Sequence, residues 1–269
     1  MTRDKECSEC MLKLKCVYSA IMESPVPENH PHSHKYKNSP HPYIIVPSLT
    51  RNRYFNPGDT LSFDFTLIGK ANDYLPYFVY AFTEMGKLGI GRDRGRFDVI
   101  SVEELRFDGQ AIEIYNDKDK ILKNPDNRII YDFFINDKTQ TDEITINFET
   151  PARIKINDNL SKDLPFEILI KRLSERVALL AHFHCGAELC NFEEFADDAI
   201  NIEIVDNRLE WLDWVRYSAR QDTKMNFGGC VGKITYKGDL RKYMPLLKLG
   251  EHIHVGKATT FGLGKYRII

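Results

Sequence analysis

The sequence predicts an α+β fold, and three stretches carry the prediction. Near the C-terminus, residues 230–236 read as a strand and 240–247 as a short helix; a glycine-rich loop at 256–264 and a closing strand at 265–269 follow. Upstream, residues 71–87, 86–95 and 97–102 repeat that order of helix, glycine loop and strand. Between 61 and 67, Leu61, Phe63, Phe65 and Leu67 alternate with Ser62, Asp64 and Thr66, the period of a half-buried strand.

The first forty residues are unlike the rest. Cys7, Cys10 and Cys16 form a C-x2-C-x5-C cluster, followed by His30, His32, His34 and His41 among several prolines. This is metal-ligand spacing rather than a disulfide framework for a chain with no signal peptide. A histidine could complete a zinc set of four, whereas an iron–sulfur cluster would usually take a fourth cysteine. Reduced thiols in a surface loop are the alternative.

Residues 43–46 read as a short strand before the alternating one, and 71–87 are aromatic-rich and helical. The glycine loop after them carries Gly91, Arg92 and Arg94. Residues 107–150 are expected to be a β-rich insertion, with strands at 112–114, 129–135 and 144–148 separated by polar turns. The next domain is expected to open near Thr150 with a strand at 152–156. Pro165 suits a helix start. Phe166, Leu169, Ile170, Leu173, Val177 and Leu180 follow at helical spacing, with Lys171, Arg172 and Arg176 read as lying off the stripe and Gly186 ending the helix. Residues 208–219 read as a long strand pairing with 229–237. Asp239 is placed to cap the last helix, Pro245 to kink it and Gly250 to follow its end. The order strand, helix, strand, strand, helix, strand completes one ferredoxin-like domain. Three segments result: 1–42, 43–149 and 150–269.

Charge is local rather than global. The chain of 269 residues has net charge −2, yet its last 42 residues hold eight of the sixteen glycines and eight Lys or Arg against two acids. That stretch is therefore +6 and the remainder −8. Glycine frees backbone N–H groups for close approach to an anion, and basic residues add counter-charge for phosphate. A glycine-rich hairpin with a solvated basic face is the plainer reading. No apolar run approaches the roughly 20 residues of a membrane span. There is no Gly-x4-Gly-Lys-Ser/Thr loop and no His-Glu-x-x-His, so nucleotide hydrolysis and zincin chemistry have no support.

The string GEHIHVGKATTFGLGKY, preceded by GGCVGKITYKGDL, resembles the C-terminal signature of the endoribonucleases that process precursor CRISPR RNA, within the RAMP superfamily. The resemblance runs from about residue 148 to the end, includes TPARIKI at 150–156, and continues more weakly through CSECMLKLKCVYS and PHPYIIVP. It implies tandem ferredoxin-like (RRM-like) domains, each with a glycine-rich loop between its second helix and last strand. It also implies metal-independent RNA cleavage in the cytoplasm on CRISPR repeat RNA, alongside other CRISPR-associated proteins and without a membrane. Against that pattern the N-terminal domain lacks its first strand and helix. The chain is therefore expected to start late relative to its relatives, or to have those elements supplied otherwise.

Such cleavage uses the 2′-hydroxyl against the adjacent phosphate, with a base, an acid and a cradle for the charged phosphate, giving 2′,3′-cyclic phosphate and 5′-hydroxyl ends. Histidine suits the proton transfers. The resemblance implies a catalytic histidine near the first helix of the N-terminal domain or the loop after it, helped by Tyr or Lys. The candidates are His254, His41 and His34, with a structural role open for His254. Candidate RNA-binding residues are Gly256, Lys257, Thr260, Gly262, Gly264 and Lys265, together with Gly91, Arg92 and Arg94. Candidate metal ligands are Cys7, Cys10 and Cys16. A non-catalytic RNA-binding RAMP subunit is the second reading, and a metal-bound interaction protein the third.

Overall fold

The computed structural model describes residues 10–12, 15–48, 50, 52, 54–91, 93–125, 128–135, 141–156, 159–191, 194–218 and 223–269. The chain divides into two compact units, Met1–Gly69 with Asp137–Ile269, and Lys70–Asn136. This differs from three consecutive segments, because the larger unit is discontinuous in sequence.

The larger unit begins with a π-helical turn, Ser19–Glu23, and an antiparallel pair, β1 (Tyr43–Pro47) and β2 (Phe63–Leu67), in register from Tyr43 opposite Leu67 to Pro47 opposite Phe63. Among the described residues no strand precedes β1. The smaller unit holds α1 (Leu75–Leu88), entered through a 3-10 turn at Gly69–Tyr74, then the hairpin of β3 (Ser101–Leu105) and β4 (Ala111–Asn116). Its last element is α2 (Asp132–Ile135), one helical turn where a strand was expected at 129–135. Phe134 is buried there, with its ring 5.4 Å from Phe107. The apolar run is too short for its period to separate strand from helix.

The rest of the larger unit runs β5 (Glu143–Ala152), a small pair β6 (Lys155–Ile156) and β7 (Asn159–Leu160), α3 (Phe166–Leu180) and α4 (Glu194–Asp197). It continues through β8 (Glu203–Leu212), β9 (Val215–Ser218), β10 (Thr223–Asn226), β11 (Gly229–Lys237), α5 (Met244–Ile253) and β12 (Tyr266–Ile268). The four-stranded sheet has the order β12-β5-β11-β8, antiparallel throughout. With α3 between β5 and β8, and α5 between β11 and β12, this is a ferredoxin-like domain. Its first strand starts at Glu143, so the alternation of Ile144, Ile146 and Phe148 assigned to an insertion belongs to the central sheet. The strand expected at 208–219 breaks between Leu212 and Val215, and β9 pairs with β10 instead.

The core lies on one face of the sheet. Phe166, Leu169, Ile170 and Leu173 of α3 meet Ile144, Ile146, Phe148, Ile234 and Tyr236 in one cluster. Each such side chain contributes about 1.5–3 kcal/mol on burial. Ile44 and Val46 of β1 belong to the same cluster, which ties the N-terminal strand to this domain. Two buried tyrosines satisfy their hydroxyls inside it: Tyr236 donates to the Leu164 carbonyl at 2.8 Å and Tyr266 to that of Leu247 at 2.6 Å.

Pro245 sits in the first turn of α5, where its missing N–H has no partner to lose, so it starts the helix rather than kinking it. Gly250 lies inside α5 rather than beyond its end. A Cβ there would meet the Tyr266 hydroxyl at 2.0 Å and Leu173 at 2.7 Å. Helix propensity alone favours Gly→Ala by up to about 1 kcal/mol, but overpacking costs about 1–3 kcal/mol. Gly250→Ala is therefore expected to lower stability despite improving the helix former. Chemical denaturation checks the sign.

Candidate active site and nucleic-acid interface

The glycine loop is fastened along the end of β5. Gly264 N–H donates to the Pro151 carbonyl at 3.0 Å, Lys257 N–H to that of Arg153 at 3.0 Å, and Lys265 N–H to the Thr150 hydroxyl at 2.9 Å. The same hydroxyl donates to the Gly262 carbonyl at 2.7 Å. Three glycines permit this closeness. A Cβ on Gly264 would meet the Val255 carbonyl oxygen at 1.9 Å, one on Gly256 the Arg153 oxygen at 2.7 Å, and one on Gly262 the Ile45 oxygen at 2.9 Å, all at positive φ. Their absent side chains are accounted for by packing against β5, β1 and the loop itself. Lys265 is only 16% exposed and lies 3.6 Å from both Asp64 and Glu149, so its charge is matched internally. Thr260 is half-buried and Lys257 exposed. Phe261 is exposed at the loop's tip, 5.3 Å from Phe227, which meets Trp214 at 6.3 Å.

His254 begins this loop at φ 61° and is 2% exposed. Its Nδ1 donates to the Leu263 carbonyl at 3.2 Å. Burial pushes its pKa down to about 4, opposed by that hydrogen bond and assisted by the charges of Arg176, Lys265 and His252. This is the setting of a neutral ring that organises the loop, shut away from a nucleophile in solvent.

His41 stands two residues before β1, half-buried, with Nδ1 3.1 Å from the Ser24 hydroxyl and its ring stacked on Tyr43 at 5.9 Å. The Ser24 hydroxyl also reaches the Ile21 carbonyl at 2.9 Å and the Ala20 carbonyl at 3.2 Å, so it is shared between His41 and the preceding turn. Burial lowers the His41 pKa; Glu23 and the Ile21 carbonyl raise it, and Arg176 lowers it further. Burial keeps the Tyr43 phenol protonated. His34, the remaining catalytic candidate, is exposed.

Arg176 was read as lying off the apolar stripe; it lies three residues after Leu173 and four before Leu180 and is half-buried. Its Nε donates to the Ile253 carbonyl at the end of α5, at 2.9 Å, while Nη2 is sealed from solvent without a hydrogen-bond partner. Burial, with no acid beside it, draws its pKa down to about 10. The same charge bears on His41 and His254, so the N-terminal segment, α3 and the start of the glycine loop converge at this guanidinium. A cation on an apolar stripe was the signal available in the sequence.

Elsewhere, His30, His32 and His182 cluster with ring centroids 5.2–5.6 Å apart, and His182 Nε2 is 3.3 Å from His30 Nε2. His30 Nδ1 accepts the His32 backbone N–H, so the packing is a hydrogen-bonded one. Among the described residues no three His, Cys, Asp or Glu side chains are grouped to hold a metal ion. Cys10 and Cys16 are free, half-buried thiols, and Cys7 lies outside the described residues. In the smaller unit Gly91 (φ 76°) and Arg94 (φ 51°) are exposed on the 89–95 turn, and Arg92 is outside the described residues. No helix there or elsewhere among the described residues is long and apolar enough to cross a membrane.

The fold is that of tandem ferredoxin-like proteins. The chain aligns with a Cas6 product complex from Thermus thermophilus at TM-score 0.54 and 16% identity, covering 88% of this chain and 84% of that one. A second Cas6 product complex gives TM-score 0.52 and 14% identity, over 90% and 87% of the two chains. A partial Cas6-RT-Cas1–Cas2 complex gives 0.53 and 17%, over 84% and 38%. Residues 146–266 match the family of the CRISPR-associated endoribonuclease Cas6. Residues 1–127 match a family described as an N-terminal domain. An uncharacterized protein of Archaeoglobus fulgidus is 24% identical over 229 residues, 84% of this chain and 72% of that protein.

The His254 geometry sets a pH dependence. Its folded pKa, about 4, is below the unfolded 6.5, so the stabilising difference is complete above pH 6.5 and is lost as pH falls toward 4. The loss amounts to about 3 kcal/mol at most. Denaturant titrations at pH 7 and pH 4.5 should show that fall in the wild type. It should be reduced in His254→Asn, whose amide can replace Nδ1–H and tolerates positive φ.

Proposed function

We propose that this chain is an endoribonuclease that cuts precursor CRISPR RNA within its repeats. The observation that carries the reading is the His41 site: a half-buried imidazole in contact with Ser24 and stacked on Tyr43, its pKa lowered by burial. His41 Nε2 takes the proton of the 2′-hydroxyl, whose oxygen attacks the adjacent phosphorus. The bond from phosphorus to the 5′-oxygen breaks, and that oxygen takes a proton from the Tyr43 phenol. The products are a 2′,3′-cyclic phosphate and a 5′-hydroxyl. The match of residues 146–266 to the Cas6 endoribonuclease family supports nuclease chemistry, and the product complexes of the structural neighbours support RNA as ligand. The Cas6-RT-Cas1–Cas2 assembly supports other CRISPR-associated proteins as partners. The proposed compartment is the cytoplasm, where repeat transcripts arise.

The RNA path includes exposed Lys257 and Phe261 at the loop tip, with Thr260, and Gly91 and Arg94 of the smaller unit as a separate contribution. No step is routed through a metal. Zinc at Cys7, Cys10 and Cys16 would be structural.

His41→Ala should lower single-turnover cleavage of a repeat RNA by roughly 10²–10⁴-fold with binding near normal, whereas His254→Asn should retain cleavage. Full-length wild type that binds the RNA without cutting it would instead establish the non-catalytic subunit. A separate measurement addresses the chemistry: cleavage in excess EDTA is expected to continue, with cyclic-phosphate ends detected on the product. Activity lost to EDTA and restored by magnesium would contradict metal independence.

A further inference from the structure

His41 is held from both sides along its own backbone. It stands between Pro40 and Pro42, and a residue before proline is pushed to extended backbone. The Pro42 carbonyl accepts the Ile68 N–H at 2.9 Å. The Pro40 carbonyl lies 2.7 Å from Nε2 of half-buried His184, and a carbonyl only accepts, so that nitrogen carries the proton. Ser39 Oγ, 3.4 Å from the same nitrogen, donates to the Ser24 carbonyl at 3.2 Å, where the Ser39 N–H also lands at 2.9 Å. The Ser24 hydroxyl in turn meets His41 Nδ1 at 3.1 Å, and both serines are buried. His184 therefore belongs to the same bonded circuit as the His41 ring, although it comes from beyond the end of α3.

Local geometry explains how it gets there. After Leu180 the helix widens into a π-helical turn, Ala181–Cys185, closed by Gly186 at φ 78°. Such wide turns are frequent at functional sites. This one lies directly on the backbone beyond Ile68: a Cβ on Gly69, at φ 58°, would meet the His184 carbonyl oxygen at 2.2 Å and Cys185 Sγ at 2.9 Å. Ile68 and His184, which hold the two carbonyls flanking His41, are thus joined through Gly69. We propose that His184 is a positioning residue for His41: its Nε2–H fixes the Pro40 carbonyl and so the point from which the His41 ring projects. The proposal rests on the nuclease reading for its kinetic consequence, while the positioning itself does not.

The test uses the full-length chain with His184→Phe, which keeps a ring and loses the donor, and His184→Gln, whose amide can take the place of Nε2–H. His184→Ala repeats the comparison should the Phe variant not fold. Single-turnover cleavage of a repeat RNA should fall by roughly 10–10²-fold in His184→Phe, the scale of a displaced catalytic group. RNA affinity should be unchanged and His184→Gln should cut near the wild-type rate. In a His41→Ala background the Phe substitution should cost nothing further, because its effect passes through His41. A merely structural residue would slow both backgrounds alike or neither, and either result would overturn the proposal. The His41 ring gives a readout without cleavage: its imidazole NMR shifts should move toward those of a free histidine in His184→Phe and stay in place in His184→Gln. Wild type that cuts RNA and stops on His41→Ala, with His184→Phe unchanged in rate and shifts, rejects this inference alone. Wild type that never cuts RNA, yet shows the shift change in His184→Phe only, rejects the nuclease reading and keeps the positioning.

Discussion

Backbone lying directly on backbone along the end of β5 organises the rest of the larger unit. From Thr150 to Arg153, hydroxyl and carbonyl groups take the N–H groups of Gly264, Lys265 and Lys257. Such closeness requires that no Cβ intervene, which is what Gly256, Gly262 and Gly264 supply. The sheet, the loop and β1 are thereby one packed body: Gly262 abuts Ile45, whose neighbours Ile44 and Val46 enter the central core. The glycine-rich loop is in this respect a joint before it is a surface.

That joint changes how the basic C-terminus is understood. Of its eight cations, Lys265 is matched by Asp64 and Glu149, Arg241 by Asp239, and Lys242 by Asp198. Lys237 lies 3.9 Å from Glu143. Exposed pairs of this kind add little stability, but they cancel field that a sequence count assigns to phosphate. Asp239 is already counted in the +6, and acids outside the stretch match three of its remaining cations, Lys237, Lys242 and Lys265, so about half of the excess is met within the protein.

The sequence was most legible where one period ruled. The α3 stripe, the β11 strand and the closing strand each appear where apolar spacing placed them. β5 was divided because residues 144–148 and 152–156 each read as a strand, one closing an insertion and one opening a domain; Pro151 lies among the strand's last residues, where the loop covers it. Residues 129–135 were misassigned because two runs of three apolar residues, divided by Asp132, fit a strand and a helical turn equally well. His254 and His41 show the limit for chemistry. Both are histidines beside a loop, and only tertiary burial separates the ring closed under Leu263 from the one beside Tyr43. Arg176 was read as lying off the stripe, and its contact with the Ile253 carbonyl could not be read from spacing within α3.

The discontinuity of the larger unit also has a consequence in time. Chain emerging from the ribosome presents Ile44 and Val46 long before residues 143–268 exist to cover them. Residues 70–136 can complete their local pairings first, while β1 and β2 wait for the last strand to be made. Contacts so distant in sequence close slowly, since the intervening chain must be gathered before they form. An early pair of strands with an uncovered apolar face is the segment most in need of protection during synthesis. Completion of the surroundings of His41, which hangs from β1, therefore waits for the strands and helices of residues 143–268.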